Sequence, residues 1–406
     1  MKRMYWMPVV IVAAMILVSY FCIAEGQVRG SVSAGVRLPG ARAVIDASRY
    51  ASLQAAIDAL PDEGGVVHLP PGTFEIAEPL RVTKGDVMIE GAGTATHIKN
   101  VNTEAQSALI LQHASAGDNR KAELWRIQLA NFRITGNEKS GHGIDARRIN
   151  EIFIDGVTTS YHGGDGIRLY FCYEDPRICN SLITYNKKTG LNAIGCHDVV
   201  VAANQFEENQ DALRFIDGFN LCMTGNCLDD HLGDGVVIEN TYGSVVAGNM
   251  IEECKGIAIV LDRDCYGIAL SANVIAHEET GGIALRDAHG CAVSANTFTI
   301  MGKDALNIGP KSGRITVTGN NFSNSYIGGD KLKRTANDQK AAGMVLNGTS
   351  GIAVSGNLFS GLRPRAMTVK GNPSKYVLFG DNVFIDTPSD YKKLEDSMVR
   401  DNLSDE

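Results

Sequence analysis

Apolar and polar residues alternate along this chain in short runs, GIDARR, GIRLY, GLNAI, ALRFI, GVVIE, GIALR and ALNIG, each opened by a small residue. The openers are Gly143, Gly166, Gly190, Ala212, Gly235, Gly256, Gly282, Ala305, Gly343 and Ala366. A second alternating run follows each one and ends at an asparagine: Asn204, Asn226, Asn249, Asn273, Asn296, Asn320, Asn357 and Asn382. Apolar residues flank each asparagine at fixed offsets, as Val199, Val201 and Phe206 do around Asn204. Period two is the strand signature, and no helical periodicity competes with it. The unit recurs roughly every 23 residues, and repetition in that range specifies a stacked solenoid. The expected fold is therefore all-β, a β-solenoid of about ten coils stacked about 4.8 Å apart. The asparagines should form a structural ladder along the axis at a bend, because asparagine tolerates left-handed backbone there.

A rod of strands has an open edge at each end. The segment Tyr50–Leu60 answers this at the start of the repeat: Leu53, Ala56, Ile57 and Leu60 fall at helical spacing, Ser52 is a suitable N-cap and Pro61 stops the run. It reads as an amphipathic capping helix.

The stretch from Ser52 to Gly93, SLQAAIDALPDEGGVVHLPPGTFEIAEPLRVTKGDVMIEGAG, resembles the N-terminal segment of the pectate-lyase-like right-handed parallel β-helix superfamily, of the rhamnogalacturonase and epimerase type. The later coils resemble its right-handed β-helix repeats. The resemblance implies a single-stranded right-handed parallel β-helix over residues 43–386. The superfamily contains polysaccharide lyases, glycoside hydrolases, uronate epimerases and proteins without demonstrated activity. A GHG occurs at Gly141-His142-Gly143, but the NTD, GDD and RIK segments of polygalacturonase-type hydrolases do not accompany it. Where mannuronan epimerases carry DPH, the nearest string is Asp175-Pro176-Arg177. Neither activity transfers by motif.

The N-terminus has Lys2 and Arg3, a long apolar run and small residues at Ala24 and Gly26. This pattern predicts a signal peptide over 1–26, with an uncleaved membrane anchor as the alternative. A linker over 27–42 and a flexible tail over 387–406 would flank the helix domain. Secretion, a periplasmic location or display at the cell surface follows, with membrane contact only through an uncleaved N-terminal segment. The net charge of −8 argues against nucleic acid as a partner. Basic residues nevertheless concentrate between Arg120 and Lys188, which suits an anionic polysaccharide. Of nine cysteines, Cys172 and Cys196 share a coil position. They predict a core ladder of free thiols, with a disulfide as the alternative in an exported protein.

After each opener the chain should alternate inward and outward. The first outward column then reads Asp145, Arg168, Asn192, Arg214, Val237 and Ala258, and the next begins Arg147, Tyr170, Ile194. A sheet face needs no charge to fold, so the polar stretch from Asp145 to Arg214 is the candidate site. Asp145, Asp165, Arg168 and Arg214 are the candidate catalytic residues. His142, Arg147, Tyr170, Asn192, Asp211, His231 and Asp234 are the candidate substrate-binding residues. Lyase chemistry on a uronate must neutralise a carboxylate and remove the adjacent proton. Arginine, lysine or calcium can neutralise; calcium is admitted without being required, and no metal-ligand spacing or other cofactor signature occurs. Hydrolysis would need two carboxyls flanking one bond, from Asp145 with Asp165 or Asp211 with Asp234. The expected protein acts on an acidic polysaccharide, as a lyase first, with a hydrolase or epimerase, or a non-catalytic binding or surface protein, as alternatives. The polar insertion Ser325–Ala342 would rise near the rim of the site.

Overall fold

The computed structural model describes residues 38–119, 121–323 and 343–405. The expected signal segment and the Ser325–Ala342 insertion lie outside the described residues. Among the described residues, no helix is long and apolar enough to cross a membrane.

From Ala43 onward the chain winds as a parallel β-helix with three sheets of 12, 18 and 14 strands, every pairing parallel. In a typical coil the first strand, such as Ile167–Tyr170, joins the 12-stranded sheet, called sheet 1. The second, such as Arg177–Cys179, joins the 18-stranded sheet 2, and the third, such as Leu182–Thr184, the 14-stranded sheet 3. There are about 14 coils rather than ten. The extra windings lie before Gly143 and after Ala366: Ala108 opens one of them in register with Gly143, while Pro79 holds that place before Leu80. Within 387–405, expected as a flexible tail, strands Leu394–Glu395, Met398–Arg400 and Leu403–Ser404 add a further winding.

Inward aliphatic columns fill the core. Ile144, Ile167, Leu191, Leu213 and Val236 stack in register and are almost completely buried. Phe298, Phe322 and Phe359 stack face to face at 4.8 Å, the coil spacing itself. The opener column is small because the next coil's backbone passes beside it: a Cβ on Gly190 would lie 2.7 Å from the Ala212 carbonyl oxygen. One opener is displaced. Val236 pairs with Ile259, so Ala258, not Gly256, continues the column, and Val260 rather than Ala258 faces outward beside Val237. The interval from Gly235 to Ala258 is the ordinary 23 residues, and Gly256 falls two positions short of it.

The asparagine ladder is continuous from Asn204 to Asn402. Each backbone N–H and each Nδ2 donates to the Oδ1 of the next asparagine at 2.9–3.1 Å. The left-handed residue at the bend is the one before each asparagine, such as Ala203, Gly225, Gly248 and Ala272, and not the asparagine itself. At the N-terminal end the helix Leu53–Asp58 caps the rod, with Ser52 Oγ accepting from Ala55 N at 3.1 Å. Leu53, Ala56, Ile57 and Leu60 are buried as the spacing required. Cys172 and Cys196 are free thiols in the core.

Candidate functional site

Sheet 1 aligns the predicted outward column as Asp145, Arg168, Asn192 and Arg214, one per coil. Parallel pairing puts neighbours about 4.8 Å apart, so Arg168 and Arg214 stand roughly two spacings from each other. They serve different surroundings. Arg214 donates to Asp211 Oδ2 at 3.2 Å and Glu239 Oε1 at 2.8 Å. Arg263 completes the network on Glu239 and Asp217. Arg214 is therefore neutralised and does not join Arg168 in one site.

Arg147, Arg148 and Arg168 line a cleft of about 580 Å³ with Gln112, Tyr170 and Phe171. Aromatic rings orient the guanidinium groups: Arg168 lies 5.1 Å from the Tyr170 ring centroid and Arg148 5.1 Å from that of Phe171. Arg148 takes a left-handed backbone, φ 53°, which turns the chain from sheet 1 toward sheet 2. No carboxylate is among the lining residues.

Asp145 is not available for acid–base work. It is 1% exposed because Arg147 and Arg168 lie over it. Arg147 donates to its Oδ2 through Nε at 3.0 Å and Nη2 at 2.5 Å, and Arg168 Nη1 stands 3.7 Å from Oδ1. The hydrogen bond to Asp145 holds Arg147 above the ordinary arginine range. Asp145 is a buried anchor for two cleft arginines.

Asp165 is likewise consumed. It is buried and accepts from Thr189 N and Asn192 Nδ2, each at 3.1 Å. Burial alone pushes its carboxyl up, but bonds from His142, Asn192 and Thr189 outweigh burial and hold it below the usual carboxylate value. His142 Nδ1 lies 3.2 Å from Asp165 Oδ2 and also accepts Asp165 N–H at 3.0 Å. One nitrogen serves one partner at a time, so the two contacts are alternatives set by the ring's tautomer.

Asp211 and Asp234 do stack in adjacent coils, yet each caps the backbone of the next one. Asp234 N donates to Asp211 Oδ1 at 2.9 Å, and Ile257 N to Asp234 Oδ1 at 2.7 Å. Their acceptor role is structural, so the predicted acid–base pair is not formed. His231 is fully buried and cannot reach substrate. It belongs to an inner column at the turn into sheet 1, His162, Asn186, Asn209, His231, Cys254 and Glu278, every member buried. Burial lowers His162 to about 3 and His231 to about 4, and raises Glu278 to about 9. At neutral pH all three are uncharged.

Asp229 and Asp230 lie away from the cleft. Asp229 lies on sheet 3 beside Glu207 and Glu252, and its carboxyl is pushed up by burial and by neighbouring acids. Asp229, Asp230 and Glu253 place oxygens within 4.8 Å of one another, the one such acidic trio among the described residues. Three guanidinium groups make the cleft itself a poor cation site.

Sequence reasoning missed Arg148, Phe171 and Gln112. The adjacent arginines at 147 and 148 and the aromatics at 170 and 171 were its only visible signal. Counting every second residue assigned Arg148 and Phe171 to the other face, whereas both strands end there and turn.

These features define a right-handed parallel β-helix bearing a basic cleft on its 12-stranded sheet. The family model "Right handed beta helix region" matches residues 118–271. No curated protein matches the chain in sequence. Among solved structures, tailspike protein 3 of bacteriophage CBA120 aligns with a TM-score of 0.59 at 12% identity, over 96% of this chain and 68% of its own. The catalytic unit of a GH87 α-1,3-glucanase from Streptomyces thermodiastaticus aligns with a TM-score of 0.57 at 13% identity, over 92% and 70%. The periplasmic alginate epimerase AlgG aligns with a TM-score of 0.51 at 12% identity, over 90% and 84%. The chain spans 61% of the length of another neighbour, ORF18 of Geobacillus virus E2. At these identities the likeness is one of fold.

Proposed function

We propose that the protein binds an acidic, uronate-containing polysaccharide through the Arg147–Arg148–Arg168 cleft. The observation that carries this reading is the charge imbalance: three guanidinium groups line the cleft, and the one carboxylate in contact with them, Asp145, is buried beneath. Arginine forks suit carboxylates, and Tyr170 and Phe171 offer faces to a sugar ring. The alginate epimerase and the α-1,3-glucanase among the neighbours are carbohydrate-active by name, which is consistent with a glycan ligand. Export to the periplasm, cell surface or medium is the location that such a partner requires.

If the cleft is catalytic, the geometry supports β-elimination over hydrolysis. Both carboxylate pairs that hydrolysis could use are engaged in ion pairs or backbone caps. Elimination needs carboxylate neutralisation, which the arginines supply, and a proton acceptor: Tyr170, in reach of the same space beside Arg168, would take the proton as its phenolate and pass it to the departing glycosidic oxygen as the C–O bond breaks. The test incubates the protein with polygalacturonate, alginate and neutral glucans, reading unsaturated-product absorbance, reducing ends and retardation in affinity electrophoresis. Polyuronate retardation lost in Arg168→Ala supports binding. Absorbance lost in Tyr170→Phe supports elimination. Retention of neutral glucans alone overturns both.

A further inference from the structure

Tyr170 and Phe171 are the start of a longer feature. Phe171 is followed by Tyr173, 6.4 Å away between ring centroids. From Tyr173 the rings continue coil by coil: His197 at 4.6 Å, Phe219 at 4.5 Å and Tyr242 at 4.5 Å. Isolated parallel bridges keep His197, Phe219, Tyr242 and Tyr266 in register. This row lies at the turn from sheet 1 into sheet 2. Its first members are half-buried, and its last two are prominent, Tyr242 being 50% and Tyr266 54% exposed. Core packing does not require rings there, because the inward positions of the same coils are already filled by other buried apolar residues, Cys172, Cys196, Phe215 and Cys265 among them.

Polar pairs border the row. Asn220 Nδ2 donates to Asp198 Oδ1 at 2.8 Å on one side, and Asn240 Nδ2 to Asp217 Oδ1 at 2.9 Å on the other. An exposed apolar strip rimmed by polar groups marks a binding surface. The chemistry of the rim differs from that of the cleft: its arginine, Arg263, is spent on Glu239 and Asp217, and amides and carboxylates accompany it. An anionic sugar is favoured at the cleft and disfavoured along the row, whereas uncharged sugar rings can lay their C–H faces on the aromatics and bond hydroxyls to the amides. Five coils place the row over about 19 Å, the length of several sugar units.

We propose that the row from Tyr173 to Tyr266 is an extended glycan track for uncharged sugar units of a polymer whose acidic unit occupies the arginine cleft. The ligand is thus a heteropolysaccharide in which acidic and neutral sugars alternate or occur in blocks, running parallel to the helix axis. This inference rests on the cleft reading and narrows its substrate class.

The test uses the full chain and three probes in affinity electrophoresis and calorimetry: polygalacturonate, a neutral xyloglucan, and xanthan, whose neutral backbone carries acidic side units. The variants are Arg168→Ala in the cleft and Tyr242→Ser with Tyr266→Ser on the exposed end of the row. The expected result is tighter binding of xanthan than of either homogeneous polymer. The row variant should lose roughly tenfold or more on xanthan and on xyloglucan, while polygalacturonate binding persists. Arg168→Ala should lose polygalacturonate and keep xyloglucan. Unchanged xanthan affinity in the row variant overturns the track and leaves the cleft standing. Loss of polygalacturonate binding in neither variant, or no binding by the parent chain, overturns the cleft reading and the track with it. Sedimentation provides a further check: if the parent chain is a dimer that the row variant dissociates, the row is a self-association surface and the track is wrong. Equal thermal midpoints in parent and variants separate a lost contact from a lost fold.

Discussion

Replacing Asn249 with alanine isolates what the asparagine ladder contributes. The side chain makes four contacts. Its Oδ1 accepts from Asn226 N at 3.0 Å and Asn226 Nδ2 at 2.9 Å. Its Nδ2 donates to Asn273 Oδ1 at 3.0 Å and Met223 O at 3.3 Å. The Asn226 side-chain amide keeps Val201 O and Thr224 O as alternative acceptors, and Asn273 Oδ1 keeps the Asn249 backbone N–H. The group truly stranded is the Asn226 backbone N–H, in a residue 2% exposed. A stranded buried donor costs about 1–3 kcal/mol and each lost bond about 1 kcal/mol, so the expected destabilisation is about 4 kcal/mol. Urea unfolding followed by far-UV circular dichroism measures it, provided the m-value is unchanged, since long repeat arrays can lose two-state behaviour. Asn249→Asp separates the two halves of the contact. It keeps the acceptor for Asn226 but sets carboxylate oxygen against Asn273 Oδ1 and Met223 O. Its folded-state pKa is therefore raised, so its stability is highest below the unfolded pKa and declines as pH rises through the folded one. A cost below about 1 kcal/mol for Asn249→Ala, in the range of an ordinary surface substitution, would refute the assignment of energy to the ladder.

The buried inner column predicts an unusual pH response. His162 and His231 fold with pKa values of about 3 and 4 against 6.5, so their contribution is complete above 6.5 and each withdraws roughly 2 kcal/mol between pH 7 and 5. Glu278 folds at about 9 against 4.5 and has the opposite sign, returning roughly 2.5 kcal/mol over the same interval. Chemical unfolding should therefore find the parent chain losing little on acidification and Glu278→Gln losing about 4 kcal/mol; equal slopes would contradict the assignment. In the cleft, Asp145→Asn should leave polyuronate binding present but less specific, because the arginines remain and only their anchor is lost, whereas Arg168→Ala should weaken it roughly tenfold or more by calorimetry. Raising salt from 50 to 200 mM, values chosen as on the order of those that separate charge-driven binding from the rest, should weaken polygalacturonate retardation and spare xyloglucan. Chelation with EDTA should leave polyuronate binding unchanged; calcium-dependent retardation would move the neutralising role from arginine to a metal.

Much of the fold was legible because one column in each coil admits only glycine or alanine, and that constraint prints a period on the sequence. Where the constraint lapses, so does the reading. Pro79 replaces the small opener before Leu80, Ala108 lies 35 residues before Gly143 and so off the period, and the last winding adds no strand to sheet 1 among the described residues. Gly256 carries the right residue type two positions early, so counting from it put Ala258 and not Val260 on the outer face. The asparagine column was visible, but its bend was assigned to the wrong residue, since a left-handed Ala203 leaves no compositional mark. The site was less legible for a different reason. Parity predicts whether a residue points inward or outward, not whether another side chain lies over it. Asp145 does point outward and is buried all the same beneath two arginines. His231 looked like a groove residue because its neighbours Asp229 and Asp230 are polar, yet its coil position is that of buried Asn209 and Cys254.

The distribution of charge along sheet 1 is the strongest reason to place function at one end of it. Stacked coils bring like charges within about 5 Å, so a charged column is stable only if each member finds a counter-ion. Beyond Asn192 this condition is met by pairing: Arg214 lies between Asp211 and Glu239, and Arg263 between Glu239 and Asp217. Further along, the column turns aliphatic at Val237 and Val260. At Arg147, Arg148 and Arg168 the condition is not met by the lining residues, for among the described residues Asp145 is the one carboxylate in an ion pair with the three. A chain with a net charge of −8 has acids to spare. Leaving that cluster two charges short concentrates positive potential where the surface is concave and aromatic, and the anionic ligand we propose would complete it.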